Sequence, residues 1–144
     1  MIPSRLTRRD SLLFVYGTLR PFIGIPMARW LRRNARYVGP ATTSGRLYDL
    51  GAYPGMRAAR SKRDRVTGDV FLVAKPSVFR VLDRYEAGNA RSKARFLRER
   101  CVVKLVRGSA RRKARAWTYR YRYSVAGAPR IVGGDYRAHL ARGE

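Results

Sequence analysis

Leu12-Leu13-Phe14-Val15-Tyr16-Gly17-Thr18-Leu19-Arg20 is the stretch on which the reading of the fold turns. Its unbroken apolar and aromatic run, closed by Gly17-Thr18, reads as a buried strand leading into a turn. Just downstream, Pro26–Asn34 reads as a short helix, with Pro26 suited to the first turn and Met27, Trp30 and Leu31 on one stripe. From Tyr37 to Met56 the chain is strand-like but interrupted by Gly39, Pro40, Gly45, Gly51, Pro54 and Gly55, as expected of short bent strands around a small barrel. Val66–Val73 is a further strand.

The period then changes. In Pro76–Glu86, residues Val78, Leu82 and Tyr85 stand at helical spacing, with Pro76 placed for the first turn and Gly88 for the residue just past the end. Two longer strands follow, Phe96–Val106 and Ala114–Val125. In the second, Trp117, Tyr119, Tyr121 and Tyr123 alternate with Thr118, Arg120, Arg122 and Ser124. This predicts an aromatic face lining the barrel core and a wet face opposite it. Strands outnumber helices, and most gaps between strands are too short for crossover helices. The fold class read from this pattern is α+β: a small mixed, mostly antiparallel β-barrel with one or two packed helices, in a single domain spanning residues 1–144.

A chain of 144 residues is long enough to bury roughly two thirds of its unfolded surface without staples. Its charge is unusual, at 33 basic against 9 acidic residues, or +24. Two readings stay open. Of the basic residues 28 are Arg and 5 are Lys, a bias that GC-rich codon usage produces by itself. A field of this size also attracts polyanions, so non-specific polyanion binding is the competing expectation. Basic segments at Arg57–Arg65, Arg91–Arg100 and Arg107–Arg115 read as solvated loops and strand ends.

The single cysteine, Cys101, lies in an apolar run and reads as a small buried residue, with no partner for a disulfide or a multi-cysteine metal site. The lone His139 reads as a helix residue near the C-terminus. Thr7-Arg8-Arg9-Asp10 has the look of a twin-arginine signal, but the apolar stretch behind it is too short and runs into Gly17 and Arg20. No apolar run approaches the roughly 20 residues of a membrane span, so no membrane insertion and a cytoplasmic location are expected.

Acidic side chains are few enough to weigh one by one. Asp49, Asp64, Asp69 and Asp135 sit beside glycines, arginines or turn residues and suit turns or ion pairs. Asp10 and Glu144 are terminal, and Glu99 alternates with Arg98 and Arg100 on a strand. Glu86 differs because it ends a helix, where unpaired carbonyls and the negative end of the macrodipole disfavour a carboxylate and raise its pKa. Such a group suits general acid/base work near neutral pH. The alternative is an ion pair with Arg84, Arg91 or Arg95. The Tyr16-Gly17-Thr18-Leu19 turn has two readings as well: an ordinary strand end, or a nest of N–H groups for a substrate carboxylate, helped by Arg20.

Four blocks taken in order carry a resemblance. They are Leu13-Phe14-Val15-Tyr16-Gly17-Thr18-Leu19-Arg20, Gly45-Arg46-Leu47-Tyr48-Asp49-Leu50-Gly51-Ala52-Tyr53-Pro54-Gly55, Val66-Thr67-Gly68-Asp69-Val70-Phe71 and Leu82-Asp83-Arg84-Tyr85-Glu86. Together they resemble the γ-glutamylcyclotransferase-like family, in the branch of γ-glutamylamine cyclotransferases and avirulence-induced-gene-like proteins. The strand Ala116–Tyr121 and the segment Ile131–Tyr136 continue the likeness. It implies a barrel with a cavity and substrate binding by Tyr16, Gly17, Thr18, Leu19 and Arg20, with Tyr121 as a further contact, and Glu86 as the acid/base.

Members of that family close a γ-glutamyl group into 5-oxoproline and release an amine or amino acid. The substrate's own α-amine is the nucleophile, so neither a protein nucleophile nor a metal or other cofactor is called for. Two departures stand out: Ala87 follows Glu86 where the family usually has Gly, and Phe96 stands near a position where many relatives carry Tyr. A catalytically silent small-molecule-binding or regulatory protein of the same fold is the alternative, as is an Arg-rich nucleic-acid-associated module. The leaving group and the oligomeric state are not written in the sequence.

Overall fold

The computed structural model describes residues 11–87, 95–107 and 110–143. The Thr7–Asp10 stretch, Gly88 and Arg91 lie outside these residues. Five strands close a barrel in the order β1-β5-β2-β6-β7. They are β1 (Ser11–Val15), β2 (Arg36–Ser44), β5 (Arg65–Val73), β6 (Phe96–Arg107) and β7 (Ala110–Tyr121). All neighbouring pairs are antiparallel except β1 with β7, where Leu13 lies beside Trp117 in parallel. A separate hairpin of β3 (Arg46–Asp49) and β4 (Pro54–Arg57) completes the strands. The mixed, mostly antiparallel barrel of the sequence reading is therefore what forms.

Strand β1 is apolar from Leu12 to Val15 because both of its faces are covered there. Leu12, Phe14 and Tyr16 point into the barrel with Ala41, Val66, Val70, Val103, Leu105 and Ala116. Leu13 and Val15 point outward into a second cluster with Leu31, Phe71, Val78, Phe79, Leu82 and Tyr119. That outer cluster is where the helices attach. Helix α1 (Pro26–Asn34) starts on Pro26 and buries Ala28 and Leu31, and α2 (Pro76–Ala87) buries Val78, Phe79 and Leu82. A third helix, α3 (Tyr136–Arg142), adds to the one or two expected. It is capped by Asp135, whose carboxylate accepts from the Arg137 and Ala138 amides.

Two expectations about β7 need correction. The strand occupies Ala110–Tyr121 rather than Ala114–Val125, because Ala110 to Tyr121 pair residue by residue with Arg107 to Phe96. The basic stretch Arg111–Arg115 is thus strand, held extended by its ladder. The aromatic face is also not the barrel lining. Trp117, Tyr119 and Tyr121 face the outer cluster, whereas Ala116 and Thr118 are the buried inward pair. Phe14 and Tyr16 already fill the narrow interior, so the facing strand takes small residues, and the Thr118 hydroxyl donates to the Phe14 carbonyl at 3.0 Å.

The acidic residues assigned to turns and ion pairs take those roles. Asp64 is buried, accepts from Arg46 at 2.8 Å and Arg130 at 2.7 Å, and is held well below the usual carboxylate range by Arg46 and the Arg60 amide. Asp49 meets His139 of α3 at 2.8 Å. Cys101 is partly buried against the barrel core, and burial pushes its thiol up to about 11.

Candidate active site

A cavity of about 170 Å³ opens where the end of β1, the end of α2 and the β3–β4 hairpin meet. Its wall includes Tyr16, Gly17, Thr18, Leu19, Tyr53, Pro54, Tyr85, Glu86, Arg95, Phe96 and Tyr119. The structure thus gathers Glu86 and the whole Tyr16–Leu19 turn around one space. The cavity is small compared with the roughly 300–1,000 Å³ of drug-sized pockets and has room for a small molecule only.

Glu86 is the next-to-last residue of α2. Burial raises its carboxyl from the ordinary 4.5 to about 7, against the opposing pull of the Arg95 cation. The cause is therefore chiefly desolvation, whereas the sequence reading relied first on the helix terminus. No ion pair to Glu86 forms among the described residues; Arg98, not Arg84 or Arg95, engages the helix, through Asp83. Tyr85 beside it is raised by burial and by the Glu86 charge, while Thr18 pulls the other way.

The turn is built by contacts on both sides. Arg20 N–H donates to the Gly17 carbonyl at 3.0 Å, closing it. Among the described residues, no backbone acceptor takes the Gly17, Thr18 or Leu19 amides. Tyr16 anchors the strand end: its hydroxyl donates to the Tyr119 carbonyl at 2.6 Å and accepts from the Met56 amide at 3.1 Å, and burial raises its pKa. Gly17 does not have a positive φ. Glycine is required there because a Cβ would lie 2.6 Å from Pro54 Cγ. The turn backbone packs directly on the Pro54 ring of the hairpin.

Two residues expected at the site stand elsewhere. Arg20 is buried and paired with two carboxylates, its Nε on Asp69 at 2.8 Å and its Nη1 on Asp135 at 3.0 Å, so it braces the fold behind the turn. Tyr121 does not line the cavity; its ring packs against Phe96 and Tyr123. Conversely, the reading of the sequence did not place Tyr53, Arg95 or Tyr119 in the site. Tyr53-Pro54-Gly55 carried a signal, being part of a family-like block. Arg95, weighed in the sequence only as an ion-pair partner of Glu86, stands just before β6, where its carbonyl accepts from the Arg122 amide at 2.9 Å. Its Nη1 donates to the Tyr53 hydroxyl at 2.8 Å, and its guanidinium lies 5.6 Å from that ring's centre.

The arrangement joins one carboxyl raised by burial, several unclaimed backbone donors and one cation hydrogen-bonded to the Tyr53 hydroxyl. No group of three or more His, Cys, Asp or Glu residues close enough to hold a metal occurs among the described residues. The family model "Gamma-glutamyl cyclotransferase, AIG2-like" matches residues 13–138. The chain belongs to that family.

Family membership makes it a cyclotransferase-like protein, and solved structures agree on the fold. An AIG2-like protein from mouse is 22% identical, with a TM-score of 0.69 and 88% of each chain covered. A protein specific to uropathogenic E. coli is 18% identical, with a TM-score of 0.67 over 94% of this chain and 98% of its own. YkqA from Bacillus subtilis is 20% identical with a TM-score of 0.67, but this chain, 94% covered, spans only 43% of it. No curated protein matches the sequence. No helix among the described residues is long and apolar enough to cross a membrane.

Proposed function

We propose that the protein converts a small γ-glutamyl compound into 5-oxoproline and a free amine or amino acid, with Glu86 as the general acid/base. The observation that carries this reading is a carboxylate raised to about 7 in the same small cavity as the unclaimed amides of the Tyr16–Leu19 turn. The α-nitrogen of the substrate attacks its own γ-carbonyl carbon, forming the lactam C–N bond. The tetrahedral intermediate then expels the leaving nitrogen. Two protons leave the α-ammonium as it becomes the lactam N–H, and two arrive on the departing nitrogen as it becomes an ammonium. Glu86 relays them and ends as it began. Ring closure is intramolecular, so most of the acceleration comes from holding the substrate folded and from donors facing the developing oxyanion.

In this reading the turn amides hold one carboxylate or the oxyanion, and Arg95, steadied by Tyr53, pairs with a carboxylate of the substrate. Tyr16, Gly17, Thr18 and Leu19 are the binding turn, while Arg20 supports it from behind. Incubating the purified protein with a panel of γ-glutamyl amines, amino acids and peptides, and following 5-oxoproline, tests the proposal. Product from at least one class supports it. Ligand binding without product across the panel would favour a silent binding protein of the same fold.

A further inference from the structure

Most of the described acidic side chains are already committed. Asp64 pairs with Arg46 and Arg130, Asp69 and Asp135 with Arg20, Asp83 with Arg98, Glu99 with Arg120 and Asp49 with His139. Glu86 faces the cavity. The remaining cations are not spread evenly. A dense group stands on the outer face of the β6–β7 ribbon, on the half that α2 leaves uncovered.

On that face Lys104 lies directly opposite Lys113, Val106 opposite Arg111, and Val102 opposite Arg115. No described carboxylate forms an ion pair with any of these four cations. Like charges placed directly across an antiparallel pair destabilise it. Arg65 from β5 adds to the crowding. Arg65, followed by burial and then Lys113 and Arg111, pushes the Lys104 ammonium below its ordinary range. The ribbon therefore carries an unrelieved repulsion that a bound anion would remove.

The geometry suits a linear anion. Alternate residues on a strand stand about 6.6 Å apart, so Arg111, Lys113 and Arg115 make a row with a spacing near that of successive phosphates on an extended strand. At the end of the row Arg100 stacks on the Trp117 ring at 4.2 Å, with Arg98 also over it at 4.8 Å. Guanidinium groups held against an aromatic ring in this way are among the groups on which bases stack. Val102 and Val106, 56% and 40% exposed, form an apolar floor between the cations. On this face Trp117 lies under Arg98 and Arg100 rather than protruding toward a bilayer, and Arg111, Lys113 and Arg115 run in a row along β7 with Lys104 and Arg65 flanking it, which suits a linear polyanion.

We propose that the uncovered outer face of β6–β7, formed by Lys104, Arg111, Lys113 and Arg115 with Arg65 beside them, docks the phosphate backbone of single-stranded nucleic acid. This surface is separate from the cavity, and the proposal does not depend on the cyclotransferase reaction.

The test uses the full chain and a fluorescein-labelled 20-nucleotide single strand of mixed sequence, with anisotropy followed from 50 to 400 mM salt. The ribbon variant is Lys104→Thr, Lys113→Thr and Arg115→Thr. The control, Arg29→Gln, Arg32→Gln and Arg33→Gln, removes the same charge from the exposed side of α1. At about 0.7 in logarithmic salt slope per phosphate contact, the ribbon variant is expected to lower the slope by about 2 and the affinity on the order of 10²-fold at 0.1 M salt. The control is expected to lose far less. The ribbon variant's melting temperature should equal or exceed that of the parent, since its like charges are gone. If it melts lower, Arg115→Gln alone takes its place, with an expected slope change of about 0.7. Equal losses in the ribbon and control variants would mean that net charge alone binds, and would overturn the proposal. Tighter binding to phosphatidylserine vesicles than to the oligonucleotide at the same salt would overturn the choice of partner.

Discussion

The Tyr119 hydroxyl donates to the Asp83 carboxylate at 2.6 Å, which fastens α2 to the barrel wall one helical turn before Glu86. Arg98 grips the same carboxylate through two bonds, at 3.0 and 3.2 Å, and its guanidinium lies over Phe79 and Trp117. In the proposed mechanism Asp83 acts as a positioning residue for Glu86. Asp83→Ala is expected to lower stability by about 1–3 kcal/mol, since it leaves three donors without their acceptor. It should also reduce kcat of the folded protein with a smaller change in KM. Denaturant melts paired with steady-state kinetics check this. A clamp that only holds the fold together would lower stability and leave kcat unchanged.

Gly17→Ala tests the contact between turn and hairpin. A Cβ there would lie 2.6 and 2.8 Å from Pro54 Cγ and Cδ, so either the turn or the hairpin must shift. Both line the cavity, and the expected result is a rise in KM of roughly tenfold or more, with a loss of stability of about 1–3 kcal/mol from overpacking. Titration with a non-reacting γ-glutamyl analogue measures it. Binding equal to the parent's would show that the turn does not hold the substrate.

How far the sequence led depended on how local each signal was. The apolar run before Gly17 and the Val78–Leu82–Tyr85 spacing are local, and β1 and α2 form where those patterns stand. The aromatic alternation of β7 is also real, but alternation separates two faces without saying which one a barrel encloses. That choice was made by Phe14 and Tyr16 on a different strand. Glu86 was legible because it ends a helix and belongs to a family-like block. Arg20 was misplaced because its acidic partners, Asp69 and Asp135, come to it only through the fold. Arg95 was weighed only as an ion-pair partner of Glu86, because its place in the cavity wall beside Tyr53 comes only through the fold.

Arg95 and Glu86 are coupled through charge, with a consequence for pH dependence. The cation favours the carboxylate and so holds the Glu86 pKa down against burial. If the reaction needs the carboxylate form first, kcat/KM rises with pH along a limb centred at about 7. Arg95→Met removes the cation, so the limb moves to higher pH and KM rises for substrates whose carboxylate it held. A profile of kcat/KM from pH 5 to 9 on both proteins measures the shift. A limb that stays in place, or moves to lower pH, would rule out the coupling.

Glu86 also bears on stability. Its folded pKa of about 7 lies above the ordinary 4.5, so the folded state binds the extra proton and Glu86 loses stability as pH rises through 7. Glu86→Gln abolishes that loss. The stability gained by the variant is expected to be greater at pH 8 than at pH 5 by about 1–3 kcal/mol. Urea melts at the two pH values give the difference. A variant less stable than the parent at pH 8 would instead indicate that the carboxylate makes a stabilising pair.

The most direct measurement follows 5-oxoproline formation by the parent protein and by Glu86→Gln, with the γ-glutamyl substrate that the panel identifies. Glutamine keeps the size and hydrogen-bonding shape of the side chain but exchanges no proton near neutral pH. The account predicts a folded variant that still binds a γ-glutamyl ligand and turns over at least about 10²-fold more slowly. A Gln variant as active as the parent would contradict it.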